Sequence, residues 1–304
     1  MSKMINYPII ASQVFNTPLY ATPDLASSIK SFLLPKLTGS QTADIEMGSK
    51  DEAGNRVSFN LVGNLAIIPV HGALMSRRGS MDAACMEIES YDRVTSRISE
   101  ALDNNQVEAI VLDFQSGGGM AIGCKEAADF IFAAKDEKPI YAIANFVSGS
   151  AAYFMMSACT KIYASQTSIV GSIGVIWEHA DYSGALEQQG VKITTLYRGD
   201  NKNDCTPYEG LTEQAALDVN ERLDDAYELF TSSVAQYRGL SIEQVIATQA
   251  RVYQGQRAID VGLADELMTP QQAINQISQL HPVVAVQTQS IGNRAKSIGM
   301  NSKL

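Results

Sequence analysis

Pro139-Ile-Tyr-Ala-Ile-Ala-Asn-Phe-Val-Ser-Gly-Ser-Ala-Ala-Tyr-Phe-Met-Met156 is the stretch on which the fold turns. It opens as a strand-like apolar run, breaks at Val147-Ser148-Gly149-Ser150, and resumes as a short helix rich in alanine and methionine. From Pro139 to Trp177 the only charged residue is Lys161, as befits a buried core. A small nucleophilic side chain on a strand-to-helix turn presents its oxygen outward, beside a helix N-terminus that favours developing negative charge. Ser150 is therefore the candidate nucleophile.

Outward from that turn, apolar runs alternate with helical periodicity. Leu65–Val70, Val107–Asp113, Ile140–Ala144, Lys161–Ala164 and Lys192–Tyr197 have the character of strands. Helices are expected over Tyr91–Leu102, about Ala121–Ala134, after Ser150, and near Asp181–Gln189. Strands alternating with helices of 10–15 residues mark βαβ units, hence an α/β fold with a mostly parallel sheet. After Leu211 the pattern turns helical. Thr212 stands at an N-cap position, and Ala216, Val219, Leu223, Tyr227, Phe230 and Val234 recur every three or four residues until Gly239. A second helix is expected at Ser241–Thr248, then a helix end, a glycine turn and a short strand over Ala258–Leu267. Residues 1–60 form an N-terminal extension or arm with a possible helix at Asp24–Leu34 and a loose polar stretch at Thr38–Ser58. Residues 61–280 form the main domain, and 281–304 a basic tail expected to be disordered.

The net charge of −10 argues against nucleic-acid or anionic-membrane partners. Cys85, Cys124, Cys159 and Cys205 are scattered without a CxxC pair, so neither a metal site nor a disulfide framework is expected, and free thiols suit a reducing compartment. The uncharged run Pro139–Thr160 is long enough to span a bilayer, but Pro139, Asn145 and Ser148-Gly149-Ser150 punctuate it as strand, turn and helix. With no sustained apolar segment at the N-terminus, a soluble protein without a membrane anchor is expected.

Two glycine turns accompany Ser150. Gln115-Ser-Gly-Gly-Gly-Met120 follows a strand and precedes a helix, but has neither the Gly-Lys-Ser/Thr of a phosphate-binding loop nor the GxGxxG spacing. Adjacent glycines suit an oxyanion hole built of backbone N–H donors, and equally a plain tight turn. Gly171-Ser-Ile-Gly-Val175 is the second: a packed turn, or one whose Ser172 orients a catalytic amine. A serine nucleophile needs a base. His71 and His179 are open candidates, whereas His281 borders the tail. A lysine must be neutral to serve, which burial favours and nearby carboxylates oppose. On composition alone Lys202, flanked by Asp200 and Asp204, belongs to a solvated loop.

In order, Gln-Ser-Gly-Gly-Gly, Ser150-Ala-Ala-Tyr-Phe-Met-Met-Ser-Ala-Cys-Thr-Lys-Ile162, Gly-Ser-Ile-Gly-Val and Arg198-Gly-Asp-Asn-Lys202 resemble the signal peptide peptidase A superfamily of serine proteases. Gly171 to Leu267 resembles most the phage-lambda-type head-maturation (capsid) proteases. The features are Tyr182-Ser-Gly-Ala-Leu-Glu-Gln-Gln-Gly-Val191, Asn203-Asp-Cys-Thr-Pro-Tyr208 and Val252-Tyr-Gln-Gly-Gln-Arg-Ala-Ile-Asp-Val-Gly-Leu-Ala-Asp-Glu-Leu267. The resemblance implies a crotonase-like (ClpP-like) fold and a Ser/Lys dyad without cofactor or metal. Ser150 matches the nucleophile, Lys202 the general base and Ser172 a serine that holds the lysine. The backbone N–H groups of Gly118, Gly119 and Ala151 match the oxyanion donors. Gly117 stands where the family often has proline, and Ala151-Ala152 where it often has glycines; neither change removes a catalytic group.

The resemblance further implies scaffold, capsid or portal proteins as substrates, the enzyme itself among them. It also implies a homo-oligomer in which serine and lysine can come from neighbouring subunits. The location implied is the host cytoplasm, within the viral procapsid if the protein is phage-encoded. Two alternatives stay open: a crotonase-type acyl-CoA enzyme and a non-catalytic capsid scaffold or pseudo-protease.

Overall fold

The computed structural model describes residues 14–37, 59–77 and 88–282. The polar stretch 38–58, Cys85 and the tail beyond residue 282 lie outside the described residues. In chain order the first elements are β1 (Leu19–Ala21), α1 (Pro23–Leu37), β2 (Asn60–Val62), β3 (Leu65–His71), β4 (Ala73–Met75) and β5 (Ile88–Ser90). Next come α2 (Tyr91–Asp103), β6 (Ala109–Ser116), β7 (Gly118–Met120), α3 (Cys124–Ala134), β8 (Ile140–Gly149), α4 (Ala151–Ser157), β9 (Lys161–Ala164) and β10 (Ile169–Gly171). The C-terminal part holds α5 (Ser183–Gln188), α6 (Glu213–Arg238), α7 (Ile242–Ile246), β11 (Val252–Gln254), α8 (Gln256–Asp260), β12 (Glu266–Leu267) and α9 (Pro270–Leu280).

The larger sheet runs β11-β10-β8-β6-β3-β2, with β9 beside β8 and β12 beside β9. β3, β6, β8, β9, β10 and β12 pair in parallel, and only the edge strands β2 and β11 are antiparallel. A parallel sheet is covered on both faces, so its strands need apolar residues on both. β6 shows this directly. Ile110, Leu112 and Phe114 join the core formed with α2, α3 and α4, while Ala109 and Val111 face Ala273 and Ile277 of α9. Burying each such Leu, Ile or Phe side chain is worth about 1.5–3 kcal/mol.

Caps explain the helix boundaries. Ser90 Oγ accepts the Arg93 N–H at the start of α2, and Thr212 Oγ1 accepts the Ala215 N–H at the start of α6. α6 stops at Gly239, whose φ of 66° a side chain would resist. Thr269 and Gln272 form a capping box ahead of α9, with Pro270 in its first turn.

The alternating pattern from Leu65 to Ala164 is observed as strands and helices within a few residues of expectation. Three differences stand out. Lys192–Tyr197 is not a strand: residues 189–202 are exposed throughout, and among the described residues no neighbouring strand offers the ladder bonds that a strand needs. The helical C-terminal part returns to the sheet through β11 against β10, where no strand was expected, while the short strand expected before Leu267 is observed as β12 against β9. Residues 19–21, within the segment set apart as an arm, form a strand of the smaller sheet β1-β7-β4-β5.

One buried ion pair ties this second sheet to α2. Arg97 Nη1 donates to Glu89 Oε2 at 2.7 Å and to the Pro69 carbonyl at 3.2 Å, and both charged side chains are almost wholly buried. Arg97→Ala would leave Glu89 buried without its closest partner, so the unfolding free energy read from a urea titration should fall by about 3 kcal/mol.

Candidate active site

Ser150 occupies the single residue between β8 and α4. Its backbone has φ 57° and ψ −121°, a conformation that a side-chain-bearing residue adopts at a cost of about 1–3 kcal/mol. The turn is held from both sides. The Ser150 N–H donates to the Gly171 carbonyl, and the Phe154 N–H donates to the Ser150 carbonyl, each at 2.8 Å. α4 itself is buried along its whole length. Phe154 stacks on Phe230 of α6 with ring centroids 4.5 Å apart, Tyr153 Oη donates to the Leu263 carbonyl, and Cys124 Sγ donates to the Ala151 carbonyl. Ser150 is 0% exposed, and its Oγ makes no hydrogen bond.

The glycine loop lies directly against this turn. A Cβ on Gly118 would sit 3.0 Å from both the Ala151 nitrogen and the Ser150 Cβ, and would collide with the Tyr20 carbonyl oxygen. Gly118 also has φ 101°, so only glycine fits there. Two of the three expected oxyanion donors, Gly118 and Ala151, thus share one place with Ser150. The Gly118 N–H is given to Ser116 Oγ at 3.0 Å, and that hydroxyl donates in turn to the Gly72 carbonyl. Gly119 sits within the smaller sheet, opposite Tyr20 on one side and Leu74 on the other. Ser172 is buried with φ 54°, gives its N–H to the Arg251 carbonyl at 2.9 Å, and backs onto Gly149.

Lys202 is elsewhere. It lies in a short 3₁₀ turn (Asp200–Asn203) pinned by Asn201 to Asp218 and by Asn203 to Glu209, and its own side chain is exposed. Because Ser150 Oγ has no hydrogen-bond partner, Lys202 is not bonded to it within this chain. Nor is any histidine. His71 Nε2 lies 3.2 Å from Asp113 Oδ2. His179 contacts Asn16 Oδ1 and the Glu209 carbonyl, each at 3.1 Å. His281 Nε2 lies 3.0 Å from Tyr141 Oη. The residues that sequence reasoning missed are Ser116, which holds the glycine loop, and Tyr20 and Thr22, which lie over it. Ser116 stands inside the motif and could have been singled out; the other two give no local signal, being about a hundred residues away. Among the described residues no group of His, Cys, Asp and Glu is arranged to hold a metal ion, and no helix is long and apolar enough to cross a membrane.

Residues 133–284 match the family model described as Peptidase family S49. Over 289 residues, 90% of the chain, the sequence is 35% identical to the capsid assembly protease C of Escherichia phage lambda, covering 66% of that protein. It is 38% identical to the head-tail preconnector protein GP5 of Enterobacteria phage P21 over 71% of the chain and 43% of that protein. It is 24% identical to the chloroplastic serine protease SPPA of Arabidopsis thaliana, over 66% of the chain and 30% of that protein. The chain therefore spans just under two thirds of the length of the first of these relatives and less than half of the other two.

The thiols near the site are unsuited to be nucleophiles. Burial pushes the Cys124 and Cys159 thiols far up, whereas Cys205 is only partly buried and less affected. With iodoacetamide on the native protein, Cys205 should be alkylated at least about tenfold faster than Cys124 or Cys159, read by peptide mass spectrometry.

Proposed function

The chain belongs to peptidase family S49, and we propose that it is a serine endopeptidase of the Ser/Lys type acting on proteins of a phage head during its maturation. The observation that carries the reading is Ser150: a serine in a strained backbone conformation on a strand-to-helix turn, its hydroxyl left without a partner, pressed against a glycine loop. A strained, unsatisfied, fully buried hydroxyl has no structural use, and a waiting nucleophile accounts for all three features.

In the proposed reaction neutral Lys202 takes the Ser150 proton as Oγ bonds to a peptide carbonyl carbon. Charge develops on the carbonyl oxygen and is met by N–H groups from Gly119 and Ala151, and from Gly118 once Ser116 Oγ releases it. The C–N bond breaks as Lys202 passes the proton to the leaving amine. Water, deprotonated by the same lysine, then hydrolyses the acyl-enzyme and restores the Ser150 hydroxyl. Ser172 would orient the lysine. No cofactor or metal enters this chemistry.

Lys202, exposed and not bonded to Ser150, would reach it from a neighbouring copy. Residues 189–202 carry exposed apolar side chains, Leu196 at 90%, with Val191, Ile193 and Tyr197. A homo-oligomer in which this segment packs on a neighbour would bring Lys202 of one copy to Ser150 of the next. Residues 61–280 would be the peptidase domain, with the crotonase/ClpP-like fold, and residues 1–60 and 281–304 its extensions. Scaffold, capsid or portal proteins are the proposed substrates, cut inside the procapsid in the host cytoplasm. The names of the two phage relatives support this.

An intact-mass time course of wild type, Ser150→Ala and Lys202→Ala, alone and with a cognate scaffold or capsid protein, tests the assignment. Each substitution should lower cleavage at least about 10³-fold. Fragments that persist in Lys202→Ala would transfer the base role to His71 or His179, and no fragments from wild type would favour a scaffold without catalysis. Mixing the two inactive variants should restore part of the activity if the sites are shared between copies. Mixtures that stay inactive would place both groups in one chain.

A further inference from the structure

Residues 18–22 run as an extended segment between two stretches of backbone at the site, entered from a turn at Asn16, whose φ is 61°. On one side is β7: Leu19 lies opposite Met120, Tyr20 opposite Gly119 and Ala21 opposite Gly118, all antiparallel. The Thr22 N–H donates to the Gly117 carbonyl at 2.8 Å, and the Ala121 N–H donates to the Pro18 carbonyl at 3.2 Å. Because bonded and non-bonded pairs alternate along an antiparallel ladder, Tyr20–Gly119 is the bonded pair between these two. The Gly119 N–H, one of the proposed oxyanion donors, is therefore taken by the Tyr20 carbonyl. On the other side Leu19 and Ile176 exchange both backbone bonds at 2.9 and 3.0 Å, and the Asn16 N–H donates to the Glu178 carbonyl. Residues 18, 20 and 22 bond one way and residue 19 the other, which is how an inserted middle strand bonds.

This strand lies over the nucleophile. The Tyr20 carbonyl oxygen is against Gly118, itself against Ser150, and Thr22 Cγ2 would be 2.7 Å from a Cβ on Gly149. The Tyr20 ring enters a pocket walled by Phe154 and Phe230, with centroids 5.8 and 4.7 Å away, and its hydroxyl donates to the Ala226 carbonyl at 2.6 Å. Asn16 is fastened to the Cys205 carbonyl and His179, and Lys30 to Glu178 at 2.7 Å.

We infer that the channel between Gly118–Met120 and residues 174–178 is a peptide-binding groove, and that residues 18–22 fill it as an intramolecular strand which a substrate displaces. The inference rests on the reading of Ser150 as a peptidase nucleophile. Two facing backbone edges accept any extended peptide through main-chain bonds, and the pockets beneath select its side chains. The ligand class is thus an unfolded or extended segment carrying an aromatic residue, tyrosine above all, at the position that Tyr20 takes. While Tyr20 is in place, Ser150 is sealed from water and Gly119 cannot serve an oxyanion.

A reversible lock tests this. Leu19 and Met120 form a non-bonded antiparallel pair, whose Cα atoms lie about 4.5 Å apart and within disulfide reach. The double variant Leu19→Cys, Met120→Cys is made in the full chain, with Cys85 and Cys205 changed to serine, both with Ser150 intact and with Ser150→Ala. Binding of fluorescein-labelled unfolded casein to the Ser150→Ala form should weaken at least about tenfold on oxidation and recover on reduction. Casein hydrolysis by the Ser150-intact form should follow the same switch. Leu19→Pro, which removes the amide given to Ile176, should bind casein several-fold tighter than the unchanged strand. Casein binding that is equal in the oxidised and reduced forms, or absent from both, overturns the inference even where Ser150→Ala abolishes hydrolysis. Binding gated by the lock, with no hydrolysis from any Ser150-intact form, upholds the groove and removes the peptidase reading.

Discussion

The approach of the Gly118 backbone to the turn at Ser150 is the constraint on which the rest of the site depends. The two segments lie in close contact, a Cβ on Gly118 coming within 3.0 Å of Ser150 and Ala151, and the Tyr20 carbonyl oxygen on the other side leaves that Cβ no room. That contact persists because both segments are anchored in packing away from it. α4 is clamped by the Phe154–Phe230 stack, by Tyr153 at Leu263 and by Cys124 at Ala151, and the loop is held by Ser116 through Gly72. The unfavourable dihedrals at Ser150 are thus offset by burial of the helix that follows, and its position is held without a hydrogen bond from its own hydroxyl.

The two halves of the proposed chemistry are built differently. Ser150, Gly118, Ala151 and Ser172 stand where the sheets meet the buried helix α4, and packing together with backbone hydrogen bonds determines their geometry. Lys202 stands on a stretch with no strand partner and many exposed apolar side chains, held only by polar contacts of Asn201 and Asn203. A single chain completes the first half and leaves the second open. Under the proposed reading, this asymmetry would leave the chain inert until copies assemble. On the inferred groove, the strand at residues 18–22 works in the same direction, because it would cover the edges that a substrate uses.

Much of this was legible in the sequence, and the reason is local. The strands from Leu65 to Ala164 are buried on both faces and so appear as continuous apolar runs, while α2 and α6 announce themselves by periodicity and caps. Lys192-Ile-Thr-Thr-Leu-Tyr197 misled because its residues favour a strand, yet strand formation depends on a neighbour's backbone, and the described residues provide none. The short strands β4, β5, β7 and β11 escaped because three residues are too few to establish a period.

By itself the sequence determined the α/β alternation, the serine on its turn and the glycine loop that only glycines can make, because each is written in the spacing of side chains along a few adjacent residues. Only the tertiary structure decided that Leu19–Ala21 lies against Gly118–Met120, that Ser150 is sealed and that Lys202 stands apart from it. Those facts rest on backbone amides paired across some hundred residues. Every residue but proline carries the same amide, so such pairing leaves no mark in the sequence.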